Sequence, residues 1–546
     1  MRKLRLLIFC WFFSLPILAH AVSCKINMAN HLPDAQLPEA DAALAARKFK
    51  QAVVIYQQAL SKGPGNPSLH AALAEAYLAQ GELSQAEAVV TAAAAQTPRS
   101  AVLETVLAEV QYYEGRPWDA QDTIGSALAN DPCYPDAHVI QGQLLNLLSM
   151  HASAAKQIAI AHQLAPHNTN TLMRYAETLT PSEATATLNS YLDAEKGLDA
   201  STRKVLEQKL KNYQEGADDS QQGCTLASTA SAAEIPLRPI LGKTAMRAHA
   251  VGLDVQINGH ESHLEVDTGA GGIILSEYAA SRAGLKYSDK TQIWGVGNGG
   301  VQKANSVNVP SIRIGSLEFH NCRVTIAKRS MTNFYLDIGD GIIGLDMMSR
   351  FLVTLDYPGL KLRLDPLPSP VAATPQPALA LVSSSASQPD GSLPLQDRYI
   401  APEMKDYSTA FRVGFDFLVP ADISTKEMPN GSQVKLFLLD TGALRTTISP
   451  DVASSVTRVH SDRGVEVQGL SGIVADVYSA DLVTFRFAHV ALVSKDVVAF
   501  NPPGIGGIQI SGMIGASALR QCVVHLDFRD GLVKLDCAKD QGASSH

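Results

Sequence analysis

Apolar and polar positions follow two different rhythms along this chain. From residue 33 to 168, small and bulky apolar residues recur in register at a 34-residue step, and residues 169–215 continue with helical character. From residue 234 onward the rhythm shortens to alternating apolar and polar positions between Gly and Asn turns. The first rhythm predicts paired helices and the second predicts short strands. Two stretches carry neither rhythm: 216–233 is small and polar, and 366–398 is rich in Pro, Ser and Ala. Both read as linkers.

The helical third is organised in columns. Ala52, Ala86, Ala120 and Ala154 fall in one register, and Ala59, Ala93, Ala127 and Ala161 in another. Pro64, Pro98, Pro132 and Pro166 form a third, Tyr56, Val90, Ile124 and Ile158 a fourth, and Ala40, Ala74, Ala108 and Gly142 a fifth. Small residues let two antiparallel helices approach closely, the bulkier column fills the space between repeats, and proline ends the second helix. Period and positions resemble the tetratricopeptide repeat. The resemblance implies four units over 33–168, a helical cap over 169–215 and a concave surface for a protein partner. A spacer or scaffold role is the alternative.

The strand-rich region carries one plan twice. An apolar or alternating strand runs into Asp267-Thr268-Gly269-Ala270 in the first copy and into Asp440-Thr441-Gly442-Ala443 in the second. A glycine-rich turn follows each: Trp294-Gly295-Val296-Gly297-Asn298-Gly299-Gly300, then Gln468-Gly469-Leu470-Ser471-Gly472. Next come Gly341-Ile342-Ile343-Gly344-Leu345-Asp346 and Gly512-Met513-Ile514-Gly515-Ala516-Ser517, each followed by a closing hairpin. Asp267 precedes Gly344 by 77 residues and Asp440 precedes Gly515 by 75, which makes this an internal duplication and not two stray tripeptides.

Each copy resembles one subunit of a retropepsin-like aspartic peptidase, and two copies in one chain resemble the pepsin plan. The resemblance covers roughly 235–540 and implies a multidomain protein: an all-α repeat solenoid at 33–215, then an all-β bilobal aspartic-peptidase fold with lobes at 234–365 and 399–540. It implies hydrolysis of a polypeptide by water activated between Asp267 and Asp440, with the site formed within one chain. Two carboxyls a few ångströms apart share one proton, so one acts as base while the other donates. Thr268 and Thr441 would tie the loops together, and Gly269 and Gly442 would allow their tight turns. Gly295, Val296, Gly297, Gly299 and Gly300, with Gly469, Leu470 and Gly472, would form flaps over an extended peptide. Ser517 stands where the first copy has Asp346, so the sequence supplies no acidic support for the second loop. The competing class is a non-catalytic peptide- or protein-binding protein that keeps this fold.

Composition adds compartment and exclusions. Net charge is −8 without a basic stripe, which argues against a nucleic-acid partner. Arg2, Lys3 and Arg5 precede an apolar run, Leu6 to Leu18, and Ala19-His20-Ala21 fits a cleavage site. Residues 1–21 are therefore expected to be an export signal, giving a periplasmic or secreted chain with no membrane span after cleavage. An uncleaved anchor and lipidation at Cys24 are the alternatives. Seven cysteines become six without Cys10, and folding a hairpin at Arg529-Asp530 sets Cys522 opposite Cys537. A bridge there fits an exported protein, with free thiols as the alternative. The Gly-x-Gly-x-x-Gly run from Gly295 to Gly300 lacks a βαβ setting, and Leu241-Gly242-Lys243-Thr244 lacks the first glycine of a phosphate loop. No metal-site spacing is present, so neither metal nor cofactor is expected.

Overall fold

The computed structural model describes residues 37–214, 224–241, 248–328, 340–369, 396–424, 433–461 and 464–538. The expected export signal, Cys24, residues 216–223 of the first expected linker and residues 370–395 of the second lie outside the described residues.

Helices run in antiparallel succession from Pro38–Ala45 to Ala200–Gln214. Their starts follow local chemistry. Asn66 accepts hydrogen bonds from the Ser68 and Leu69 amides to open Pro67–Gln80, and Thr180 with Glu183 closes a reciprocal capping box ahead of Pro181–Ala194. The columns of the sequence are the packing contacts. Ala52, Ala86, Ala120 and Ala154 are completely buried, as are Val90 and Ile124. Gly142 shows why the fifth column stays small: a Cβ there would lie 2.7 Å from Ile158 Cγ1, a member of the bulky column.

Each lobe is built on a sheet whose central strands carry the Asp-Thr-Gly loops. In the first, His260–Asp267 runs parallel to Gly341–Gly344, with Gly344 opposite Asp267. In the second, Gln433–Asp440 runs parallel to Gly512–Gly515, with Gly515 opposite Asp440. A third sheet joins the lobes: Phe351–Asp356 pairs antiparallel with Cys522–Asp527, setting Leu352 opposite Asp527. A single apolar cluster, including Leu264, Val266, Phe437 and Leu439, runs through both lobes. The two halves therefore share a core.

Two connections were not legible in the sequence. Thr225–Leu226, inside the stretch expected as a linker, adds an edge strand to the first lobe, with Thr225 opposite His320, and Cys224 is bonded to Cys322. The repeat array docks on the second lobe. The Gln509 amide donates to the Tyr113 carbonyl at 2.7 Å, and Asp397 accepts from the Ser153 amide and hydroxyl at 2.8 and 2.7 Å. Trp118 tilts against Phe411 with ring centroids 6.3 Å apart. Cys522 and Cys537 are opposite each other in the closing hairpin and form a disulfide.

Candidate active site

Strand alternation decides what reaches the groove between the lobes. In His260–Asp267 the side chains of Leu264 and Val266 are fully buried in the core, so Glu265 and Asp267 face the groove. Asp440 arrives the same way from Gln433–Asp440, and both aspartates line the groove. Their side chains are hydrogen-bonded to each other.

The loops hold each other reciprocally. The Thr268 amide donates to Thr441 Oγ1 at 3.0 Å and the Thr441 amide donates to Thr268 Oγ1 at 3.0 Å. The hydroxyls pass the bond onward, Thr441 to the Val266 carbonyl at 2.9 Å and Thr268 to the Leu439 carbonyl. Each carboxyl rests over the other loop's glycine. A Cβ on Gly442 would lie 2.4 Å from Asp267 Cγ, and one on Gly269 would lie 2.9 Å from Asp440 Cγ. The Gly269 amide donates to Asp267 at 2.7 Å and the Ala443 amide to Asp440 at 2.9 Å.

Burial is the main force on both protons. It raises Asp267 above the usual carboxylate range, opposed by the Gly269 amide and the Asp440 side chain. It raises Asp440 well above that range, reinforced by the charge of Asp267. Two carboxyls set this close together resist ionising at once, so the proton is a property of the pair.

Loop support differs between the lobes. In the first, the Gly272 amide donates to both oxygens of buried Asp346 at 2.9 Å. In the second, Ser517 is exposed and its side chain takes no such part. Threonine hydroxyls take that role instead: Thr446 accepts from the Gly515 amide and Thr447 from the Met513 amide, each at 3.2 Å. The signal was present in the sequence, because two threonines stand where the first copy has Ile273-Ile274.

The flap tips meet above the groove. Ser471, nearly fully buried, donates its amide to the Val296 carbonyl at 2.9 Å and its hydroxyl to the Gly300 carbonyl at 2.8 Å, and accepts from the Gly295 amide at 3.2 Å. Asn298 accepts from the Ala475 amide at 2.8 Å. Gly297, at φ 129°, and Gly299 lie against the Ser471 backbone, where a Cβ would fall 2.4–2.5 Å from its atoms. Leu470 packs over Gly295, and Gly469 packs over Val296. Gly472 and Gly300 adopt left-handed turns at φ 91° and 62°. Ser471 and Asn298 are the contacts that reasoning from the glycine pattern passed over.

The fold and this site define two aspartic-peptidase lobes of retropepsin type behind a tetratricopeptide array. A family model described as "gag-polyprotein putative aspartyl protease" matches residues 253–350, one described as "Aspartyl protease" matches 420–518, and a tetratricopeptide-repeat model matches 43–110. Among curated proteins, the UBA domain-containing protein Mud1 of Schizosaccharomyces pombe is 33% identical over 114 residues, which is 20% of this chain and 32% of that protein. The chain thus spans about a third of that relative's length. Among solved structures, a thermophilic TPR protein of Thermus thermophilus, TTC0263, is 20% identical, covering 34% of this chain and 99% of its own at a TM-score of 0.29. The MamA protein is 17% identical, with coverages of 32% and 91% and a TM-score of 0.21.

Proposed function

We propose that this protein is an exported aspartic endopeptidase whose repeat array recruits a protein substrate or partner. The observation that carries the reading is the mutual hydrogen bond of the Asp267 and Asp440 carboxyls, held by the crossed threonine contacts of two duplicated loops. In the reaction, the ionised member of the pair takes a proton from a water that attacks the scissile carbonyl. The protonated member donates to the carbonyl oxygen, and the tetrahedral species collapses with proton transfer to the leaving amine. The flaps exclude bulk water and hold an extended peptide through backbone hydrogen bonds.

The test is hydrolysis of a peptide library from about pH 3 to 8 by wild type, Asp267→Asn and Asp440→Asn. The shared-pair mechanism requires cleavage by wild type and loss in both variants. Cleavage that survives either change sinks it, and peptide binding without cleavage by wild type makes the chain a binding protein on a peptidase fold. Export rests on the charged and apolar N-terminal pattern, and an N-terminus beginning after Ala21 in protein recovered outside the cytoplasm would establish it.

A further inference from the structure

Glu265 is a buried carboxyl in the groove that the proposed chemistry does not use. It precedes Asp267 by two residues on one strand, so both side chains leave the same face roughly 7 Å apart along the strand. It lines the groove and is 4% exposed. The duplication provides an internal control. Leu438 precedes Asp440 by two residues, lines the groove, is also 4% exposed, and packs with Val498, Phe500 and Met513. Cross-strand neighbours repeat the contrast: Glu265 stands between Gly252 and Ile342, and Leu438 between Leu418 and Met513. Equivalent positions flanking the two aspartates thus carry a carboxyl on one side and an apolar side chain on the other.

Among the described residues the Glu265 carboxyl has no ion-pair or hydrogen-bond partner. Arg323, the cation on the first lobe's side of the groove, gives its guanidinium to Ser306 Oγ at 2.7 Å. Asp416, another acid lining the groove, is pushed up to about 7 by burial and the charges of Asp267 and Asp346, but unlike Glu265 it also feels the opposing positive charge of Arg412. Burial, then the nearby Asp267 and Asp440, hold Glu265 well above the usual carboxylate range. Alone, such a carboxyl stays neutral; a cation brought beside it favours its ionised form, so a ligand that carries its own positive charge into the site completes it as an ion pair. A long basic side chain suits the place, since its methylene stem can lie along the groove wall with its head at the carboxyl.

We propose that Glu265 is a specificity-determining residue that selects a lysine or arginine side chain beside the scissile bond on the first lobe's side, with a large apolar residue preferred on the second lobe's side. The proposal rests on the endopeptidase reading and names its substrate class.

The experiment uses full-length protein and matched peptides with lysine or norleucine at the position flanking the cleaved bond. For wild type, kcat/KM favours lysine; in Glu265→Leu, which copies Leu438, the lysine-to-norleucine ratio falls by at least about tenfold. Glu265→Gln, closely matched in shape, also loses the preference for the cation, and its circular dichroism guards against misfolding. Binding of non-cleavable reduced-amide versions is measured calorimetrically in parallel. Preferential binding of the lysine peptide by wild type but not by the variants, without cleavage, supports the subsite and overturns the hydrolase reading. Cleavage with a ratio that Glu265→Leu and Glu265→Gln leave unchanged overturns the subsite and keeps the hydrolase. Neither cleavage nor selective binding overturns both.

Discussion

Thr446 accepts a hydrogen bond from the Gly515 amide at 3.2 Å, behind the loop that presents Asp440. Asp346 serves the first loop in the corresponding region through the Gly272 amide. One duplicated frame therefore uses a carboxylate in one lobe and a hydroxyl in the other. The second lobe keeps its support although Ser517 replaces an acid.

Thr446→Val keeps the shape and leaves the buried Gly515 amide without its acceptor. The expected cost is about 1–3 kcal/mol of stability, together with a fall in peptide cleavage as Asp440 loses its backing. Thr446→Ser should recover most of both. Thermal unfolding and kcat/KM check this, and a valine variant equal to wild type in both would remove the role.

Gly442→Ala and Gly269→Ala place a methyl against the opposite carboxyl, at 2.4 Å from Asp267 Cγ and 2.9 Å from Asp440 Cγ. Displacing a reacting group by an ångström costs about a hundredfold in rate, and Gly442→Ala should be the more damaging because its contact is shorter. Far-ultraviolet circular dichroism should stay native. Full activity in Gly442→Ala would show that the carboxyls sit elsewhere.

Burial pushes Asp346 up to about 6, against an ordinary 3.8. Between those values the folded protein keeps a proton that the unfolded chain has released. Its contribution to stability is therefore fully present below about pH 4 and lost as the pH rises through about 6. Asp346→Asn, which can still accept from the Gly272 amide, should show a smaller fall in melting temperature across that window than wild type. Parallel curves for the two proteins would contradict the assignment.

Cys224–Cys322 closes a span of 98 residues and Cys522–Cys537 a span of 15. In the chain-entropy view, removing the first should cost about 4–5 kcal/mol and removing the second about 3 kcal/mol. Non-reducing peptide mapping should find both bridges. Denaturant unfolding of the two double Cys→Ser variants should rank them in that order.

Ser471→Ala removes the hydroxyl that ties the second flap to Gly295 and Gly300. The expected result is a several-fold rise in KM with a smaller change in kcat, as flap closure weakens while the aspartates stay in place. An unchanged KM would mean that the flaps hold peptide without this contact.

The sequence by itself determined the element types and the duplication. Helix columns and strand alternation are local periodicities, and a small residue such as Ala120 or Gly142 is required wherever helices touch. Two loops at nearly equal distance from matched glycine segments announce two halves of one site, because the same local plan folds the same way twice. The substitution of Thr446 and Thr447 for Ile273 and Ile274 was visible as residues but not as support, since a hydroxyl's partner cannot be read from its own neighbours. The tie between Thr268 and Thr441 across 173 residues was expected from the family resemblance, but only the tertiary structure locked Ser471 into the first flap and set Gln509 against Tyr113. It also left Glu265 facing the groove without a partner among the described residues. Those outcomes depend on how the lobes and the array pack together, where burial and distance between far-separated residues, rather than local pattern, decide which groups meet.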